Sequence, residues 1–330
     1  MDRCRIGLIG AGGVAERHAR VLSSFPDAEV VAVADPDLVR AGALAGRYDA
    51  AAYPSHGAML AEVELEGVYI CVPPFAHGEP EWAAVEAGLP FFVEKPLALD
   101  DATAWRIGAA VADRGLLTAV GHHWRYLTAV ERAQDLLVSR DVRLALGYWL
   151  DKVPPVPWWL HRDRSGGQVI EQAVHVLDLL RVLVGEVAEV QAVACATPPP
   201  GAGADGGPFT DAATAATLRF AGGAVGTLAA TCLLRWKHQA GVQLFADGIA
   251  LEVTETALSY DTGGGPIVIA DDGAAKNRVD RAFVDAVLGR GDGIRASYGE
   301  ALRTHVLACA IARAAQTGQP VSGENREPAW

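Results

Sequence analysis

The sequence predicts two folded domains: an α/β domain with a helix-covered parallel sheet, then an α+β domain built on a large, mostly antiparallel open sheet. Three observations predict this. Short β-branched runs alternate with helical patterns through the first 120 residues, as repeated βα units do. From about Gly121 the pattern changes to closely spaced strands and hairpin turns. The 330 residues, at roughly 150 per domain, make about two domains. The boundaries expected are 1–121 and 122–330, with the C-terminal helix packing back on the first domain.

In the first domain, Cys4 to Ile9, Glu29 to Ala34, Gly67 to Val72 and Pro90 to Val93 read as strands with helices between them. Pro36, directly after Asp35, suits a first helical turn; Ser55 suits an N-cap and Gly88 a helix stop. In the second domain, Thr128 and Glu131 form a capping-box pattern for a helix to about Ser139. A strand follows from Arg143 to Leu150, then a Pro/Trp-rich loop over 153–159 and one helix from Val169 to Val184 closed by Gly185. Strands are expected over Val187 to Thr197, Ala212 to Phe220, Val225 to Leu234, Gly241 to Phe245, Ile249 to Thr254 and Ile267 to Ala270. The Asp247-Gly248 turn fits a hairpin, and Pro198 to Pro208 reads as a loop. Two helices close the chain, from Asn277 to Leu288 and from Ser297 to just before Gly318.

Composition excludes several classes. Hydrophobic residues make up 51% and charged residues 21%, which rules out whole-chain disorder. Twenty-eight Lys and Arg against 40 Asp and Glu give a net charge of -12, the wrong sign for a nucleic-acid partner. No apolar run approaches the ~18 residues that span a bilayer, so no membrane partner is expected. Glu16-Arg17-His18 following the first apolar stretch argues against a signal peptide. The five scattered cysteines form no C-x-x-C pair; a reducing cytoplasm and no metal site are expected.

Gly10-Ala11-Gly12-Gly13-Val14-Ala15 follows the first strand and opens the first helix, with Asp35 ending the second strand 20 residues beyond Ala15. Gly10 permits the tight turn, and Gly12 lets a pyrophosphate approach the backbone. The helix start at Gly13 and Val14 offers free N–H groups. Asp35 would accept from the adenosine ribose hydroxyls, favouring NAD, with NADP the alternative that Arg40 keeps open. At the carboxyl ends of later strands stand Val72-Pro73-Pro74-Phe75-Ala76-His77 and Glu94-Lys95-Pro96, where the reactive end of a dinucleotide lies in open parallel sheets. A desolvated lysine beside a cationic ring gives up its proton more readily; a surface lysine after a strand is the bland alternative. Pro96 suits a cis bond. On one helix, Glu171, His175 and Asp178 share a face through steps of four and three. A histidine flanked by carboxylates suits proton transfer, whereas the same spacing also suits a solvated polar stripe. One His on that face does not make a zinc site.

These motifs, together with Gly121-His122-His123-Trp124-Arg125-Tyr126, resemble the glucose-fructose oxidoreductase, inositol dehydrogenase and rhizopine-catabolism protein family, Gfo/Idh/MocA, over almost the whole chain. The resemblance implies an N-terminal Rossmann domain and a C-terminal α+β domain whose sheet carries the interface of a homodimer or homotetramer. It implies hydride transfer between a nicotinamide and a secondary alcohol or ketone of a sugar, inositol or related polyol. Lys95 then matches the proton-transferring lysine, Glu94 the nicotinamide-ribose contact, His175 the active-site histidine and Arg125 the basic cofactor-side position. Glu171 stands where most members carry Asp, and Ala173 where they carry Gly. His122 and His123 replace an aromatic residue and Asn. Substrate contacts are expected from His123, Trp158, Trp159, His161, Arg162 and Asp178, with Asp163 beside them. Other readings of the same motifs are a non-catalytic NAD-binding regulator, a methyltransferase and a redox-neutral sugar-processing enzyme that holds NAD throughout.

Overall fold

The computed structural model describes residues 3–195, 197–203 and 207–322. It divides into two compact units, with a break between His123 and Trp124, and with Lys276–Leu302 belonging to the first. The first unit carries β1 (Cys4–Ile9), α1 (Gly13–Leu22), β2 (Ala28–Ala34), α2 (Leu38–Ala45), β3 (Ala51–Tyr53), α3 (His56–Glu62), β4 (Gly67–Ile70), α4 (Glu79–Glu86), β5 (Phe91–Val93), α5 (Asp101–Arg114) and β6 (Thr118–Val120). The six strands form one sheet in the order β3-β2-β1-β4-β5-β6, and every pairing is parallel. Every residue of β4 and β5 is buried, as expected of strands covered on both faces. The order reverses direction at β1, which puts a ligand-binding crevice at the carboxyl ends there.

The second unit begins with α6 (Thr128–Leu137), β7 (Val142–Lys152), α7 (Arg162–Ser165), α8 (Gln168–Glu171), α9 (Val174–Val184) and β8 (Val187–Ala194). There follow β9 (Ala213–Phe220), β10 (Val225–Leu234), β11 (Gln239–Ala246), β12 (Ile249–Thr254), β13 (Ala257–Asp261) and β14 (Ile267–Ala270). The chain continues with α10 (Ala275–Val287), α11 (Tyr298–Thr317) and β15 (Val321–Ser322). Nine strands pair in the order β14-β13-β12-β11-β7-β10-β9-β8-β15. All pairings are antiparallel except β10 with β7. Helix α9 lies directly on this sheet: a Cβ on Gly147 of β7 would stand 2.7 Å from Val176 Cγ1. The other face keeps Leu144 and its register partner Val225 exposed, at 39% and 54%.

Several elements depart from the sequence expectations. Helix α2 starts at Leu38 and is capped by Asp37, whose side chain accepts from the amides of Val39 and Arg40; Pro36 precedes the helix, and Asp35 is used elsewhere. Ser55 does cap α3, accepting from Ala58 N. Thr128 is not an N-cap. Leu127 holds that position, and the first turn of α6 is closed by Asp271, which accepts from Thr128 Oγ1 at 2.9 Å and from Ala129 N. The helix expected over Val169 to Val184 is broken: Ala173 N donates five residues back to Gln168 O, and α9 starts only at Val174. Strands β3, β6, β13 and β15 are not among the expected strands; at 3, 3, 5 and 2 residues they are too short to show a clear period-2 pattern. Residue 196 in the expected Val187 to Thr197 strand, residues 204–206 in the expected loop and the tail after 322 lie outside the described residues.

Candidate active site

The carboxyl edge of the first sheet is built by strand register. Ala34, Ile9, Ile70, Val93 and Val120 are successive partners across β2, β1, β4, β5 and β6. The next residue of each strand, Asp35, Gly10, Cys71, Glu94 and Gly121, therefore falls in one row. Gly10 has φ +99°, and a Cβ there would stand 2.4 Å from the Cys71 carbonyl oxygen, so only glycine fits. Around Gly12 and Gly13 a Cβ would meet nothing within 4 Å. Gly12 is the N-cap of α1 and supplies no side-chain cap, which leaves the first amides of the helix to an anion. Asp35 folds back on this loop, its Oδ2 accepting from Ala11 N at 2.8 Å and its Oδ1 from Asp37 N. Arg40 pairs with Asp37 at 3.1 Å. Open glycines, an uncapped helix start and a carboxylate at the end of β2 fit a dinucleotide.

Beyond β4, Val72 and Pro73 are half-buried and lead into a short 3-10 turn, Pro74–Ala76. His77 does not present its ring to a ligand. The side chain is fully buried, with Nδ1 2.5 Å from Glu81 Oε1, while Glu81 Oε2 accepts from Gly78 N. It fixes the start of α4. Lys95 is half-buried and joined to Pro96 by a cis peptide.

Glu94 sits in a cluster that no local motif signals. Its Oε1 accepts from Arg17 at 2.7 Å and lies 3.0 Å from His18 Nε2. His18 Nδ1 lies 2.7 Å from Asp280 Oδ1 on α10. His18 and Asp280 are each 1% exposed. Burial raises a carboxyl's affinity for its proton, but His18, Arg17 and Lys95 outweigh it and hold Glu94 well below the usual carboxylate range.

The second unit carries the remaining candidates apart from His123, which belongs to the first. The ring of His175 is nearly parallel to Trp124 and Trp149, with centroids at 5.7 and 6.0 Å; the histidine is 6% exposed. Glu171 is on the far side of the helix break, and Oε2 accepts from Trp159 Nε1 at 2.8 Å. Trp159 is fully buried, so it supports Glu171 rather than facing a substrate. Trp158 beside it remains half-buried. Asp178 is 1% exposed and takes a bidentate pair from Arg125, Nε to Oδ2 and Nη2 to Oδ1, both 2.7 Å. Thr304 adds a third donor at 2.8 Å. Arg125 and Asp178, expected at cofactor and substrate, thus form a buried ion pair. Arg162 turns to Asp211 at 2.5 Å, and His161 bridges to Phe209. His123 is half-buried. Among the described residues no group of three His, Cys, Asp or Glu could hold a metal, and no helix is long and apolar enough to cross a membrane.

Residues 4–122 match the oxidoreductase family described as GFO_IDH_MocA, NAD-binding Rossmann fold, and residues 140–252 match the GFO/IDH/MocA C-terminal domain. An inositol 2-dehydrogenase of Saccharopolyspora erythraea is 32% identical over 185 residues, 55% of this chain and 54% of that protein. A levoglucosan dehydrogenase of Pseudarthrobacter phenanthrenivorans is 27% identical over 266 residues, 70% of this chain and 68% of that one. The match thus spans about half the length of the inositol dehydrogenase relatives. A solved levoglucosan dehydrogenase in complex with NADH and levoglucosan superposes with TM-score 0.88 at 20% identity, covering 97% of this chain and 99% of that one.

Proposed function

The chain belongs to the GFO/IDH/MocA oxidoreductase family, and on that premise we propose that it is an NAD-dependent dehydrogenase acting on a secondary hydroxyl of a sugar, inositol or related polyol. The observation that carries this reading is the row of Asp35, Gly10, Cys71, Glu94 and Gly121 at the carboxyl edge of the parallel sheet. The first unit holds the cofactor: Gly12 and Gly13 lie against the pyrophosphate, and the α1 amides donate to it. Asp35 accepts from the adenosine ribose and disfavours a 2′-phosphate, so NAD is preferred over NADP. Glu94 accepts from the second ribose.

The second unit holds the substrate and the partner subunits. The nicotinamide, when bound, supplies the hydride acceptor. Lys95 of the first unit takes the hydroxyl proton and returns it in the reverse reduction, and His175 is the second unit's candidate for proton transfer. Stacking on Trp124 and Trp149 fixes the plane of the His175 ring, and Trp159 holds Glu171 on the other side of the helix break. The exposed apolar face of the nine-stranded sheet supports a homodimer or homotetramer. Five free cysteines support a reducing, cytoplasmic setting.

The test is a panel of inositols, levoglucosan and glucosides, each with NAD and with NADP, followed by the near-ultraviolet absorbance of the reduced cofactor. Reduction of NAD by at least one polyol is expected. Binding of NADH with no turnover on any member of the panel would favour the regulatory reading instead.

A further inference from the structure

Glu94 is the residue through which the carboxyl edge of the sheet would hold the nicotinamide ribose, and its two oxygens are not equivalent. Oε1 is taken by Arg17 and His18, at 2.7 and 3.0 Å. Oε2 accepts from the amide of Lys95 at 3.3 Å and lies over the Cα of Gly121, where a Cβ would come within 2.6 Å of it. Oε1 has two side chains against it and Oε2 one amide, so the second lone pair of Oε2 is the one that a ribose hydroxyl would use. What keeps the carboxylate in this pose comes from three residues on two separated helices: Arg17 and His18 on α1, and Asp280 on α10 behind the imidazole.

Both ring nitrogens of His18 face a carboxylate oxygen, Nδ1 at Asp280 and Nε2 at Glu94. Ionised carboxylates only accept hydrogen bonds, so a ring that donates to both is the imidazolium; the Arg17 guanidinium, whose Nη2 is also 3.0 Å from Nε2, is the like charge that opposes it. Asp280 Oδ2 has no donor among the described residues, so the hydrogen bonding of that buried carboxylate is directed to His18. The other groups facing the ring are Arg17 from the same helix, Tyr69 of β4 with ring centroids 5.1 Å apart, and apolar Phe92 of β5 at 5.0 Å.

Resting on the dehydrogenase reading above, we propose that His18 is a positioning residue for cofactor binding: clamped between Asp280 and Glu94, it anchors one oxygen of Glu94 so that the other is presented to the ribose. Burial opposes the charged ring, but Asp280 and Glu94 outweigh it and raise the His18 pKa to about 9. The clamp therefore stays closed through neutral pH and opens in alkali.

The test is NADH affinity, read by fluorescence titration across pH, for wild type, Asp280→Asn, His18→Gln, Glu94→Gln and the His18→Gln/Glu94→Gln double variant, with melting curves to verify folding. In wild type, affinity is flat to near the His18 pKa and falls above it. Asp280→Asn removes one of the two carboxylates that hold the proton, so the fall moves to lower pH. His18→Gln weakens NADH roughly tenfold, and adding it to Glu94→Gln weakens binding no further, because the two act through one contact. Additive losses, or an unmoved pH profile in a folded Asp280→Asn protein, would overturn the clamp while leaving the cofactor reading intact. No NADH binding by wild type would overturn both.

Discussion

The indole N–H of Trp159 donates to Glu171 Oε2 at 2.8 Å, across 12 residues of sequence. It comes from a fully buried side chain and holds a carboxylate that a break in the helix separates from His175. Replacing Trp159 by Phe keeps much of the volume and removes the donor. A stability loss of about 1–3 kcal/mol is expected, together with a larger fall in kcat than rise in KM, measured by urea unfolding and steady-state kinetics. Equal kinetics in a folded variant would separate Trp159 from the role of Glu171.

Arg125 and Asp178 form a buried ion pair, with side chains 8% and 1% exposed. Asp178→Asn leaves the guanidinium without its counter-charge and should cost about 3–5 kcal/mol, whereas an Arg125→Met/Asp178→Leu double variant should recover most of that loss. Unfolding curves for the three proteins decide it. A loss within ±0.5 kcal/mol for Asp178→Asn, the range of ordinary surface changes, would mean that the pair is not structural.

Two glycines in the same loop should behave differently. Gly10→Ala meets the Cys71 carbonyl and a positive φ, so it should lower stability by about 1–3 kcal/mol. Gly12→Ala meets nothing within 4 Å, so it should melt like wild type while losing NADH affinity tenfold or more. If Gly12→Ala bound NADH normally, the pyrophosphate would not lie there.

His18 also gives stability a pH dependence. Its pKa rises from 6.5 to about 9 on folding, so its contribution is complete below 6.5 and is lost as pH climbs through 9. Wild type should therefore lose stability between neutral pH and pH 9 more steeply than His18→Gln. Parallel curves would show that His18 is not charged in the folded state.

The positions of the glycine loop, Asp35 and Glu94-Lys95 at the carboxyl edge are legible in sequence because each follows directly on a strand end. Partners brought from far along the chain are not. Asp280 lies 262 residues from His18, and Arg125 lies 53 from Asp178; no spacing rule connects either pair. A 3.6-residue period puts Glu171, His175 and Asp178 on one helix face only if the helix is unbroken. The Ala173 amide instead reaches back five residues to Gln168 and interrupts the helix before α9. His77 was legible as a position at a strand end, but its partner Glu81, four residues on, turns the ring inward.

The most direct measurement is the turnover of Lys95→Ala, purified beside wild type and assayed with NAD and a polyol that wild type oxidises, while NADH affinity is titrated in parallel. The expected result is NADH affinity within a few-fold of wild type and oxidation reduced by three or more orders of magnitude. Oxidation at the wild-type rate by the variant would contradict a proton-transferring Lys95 and the chemistry built on it.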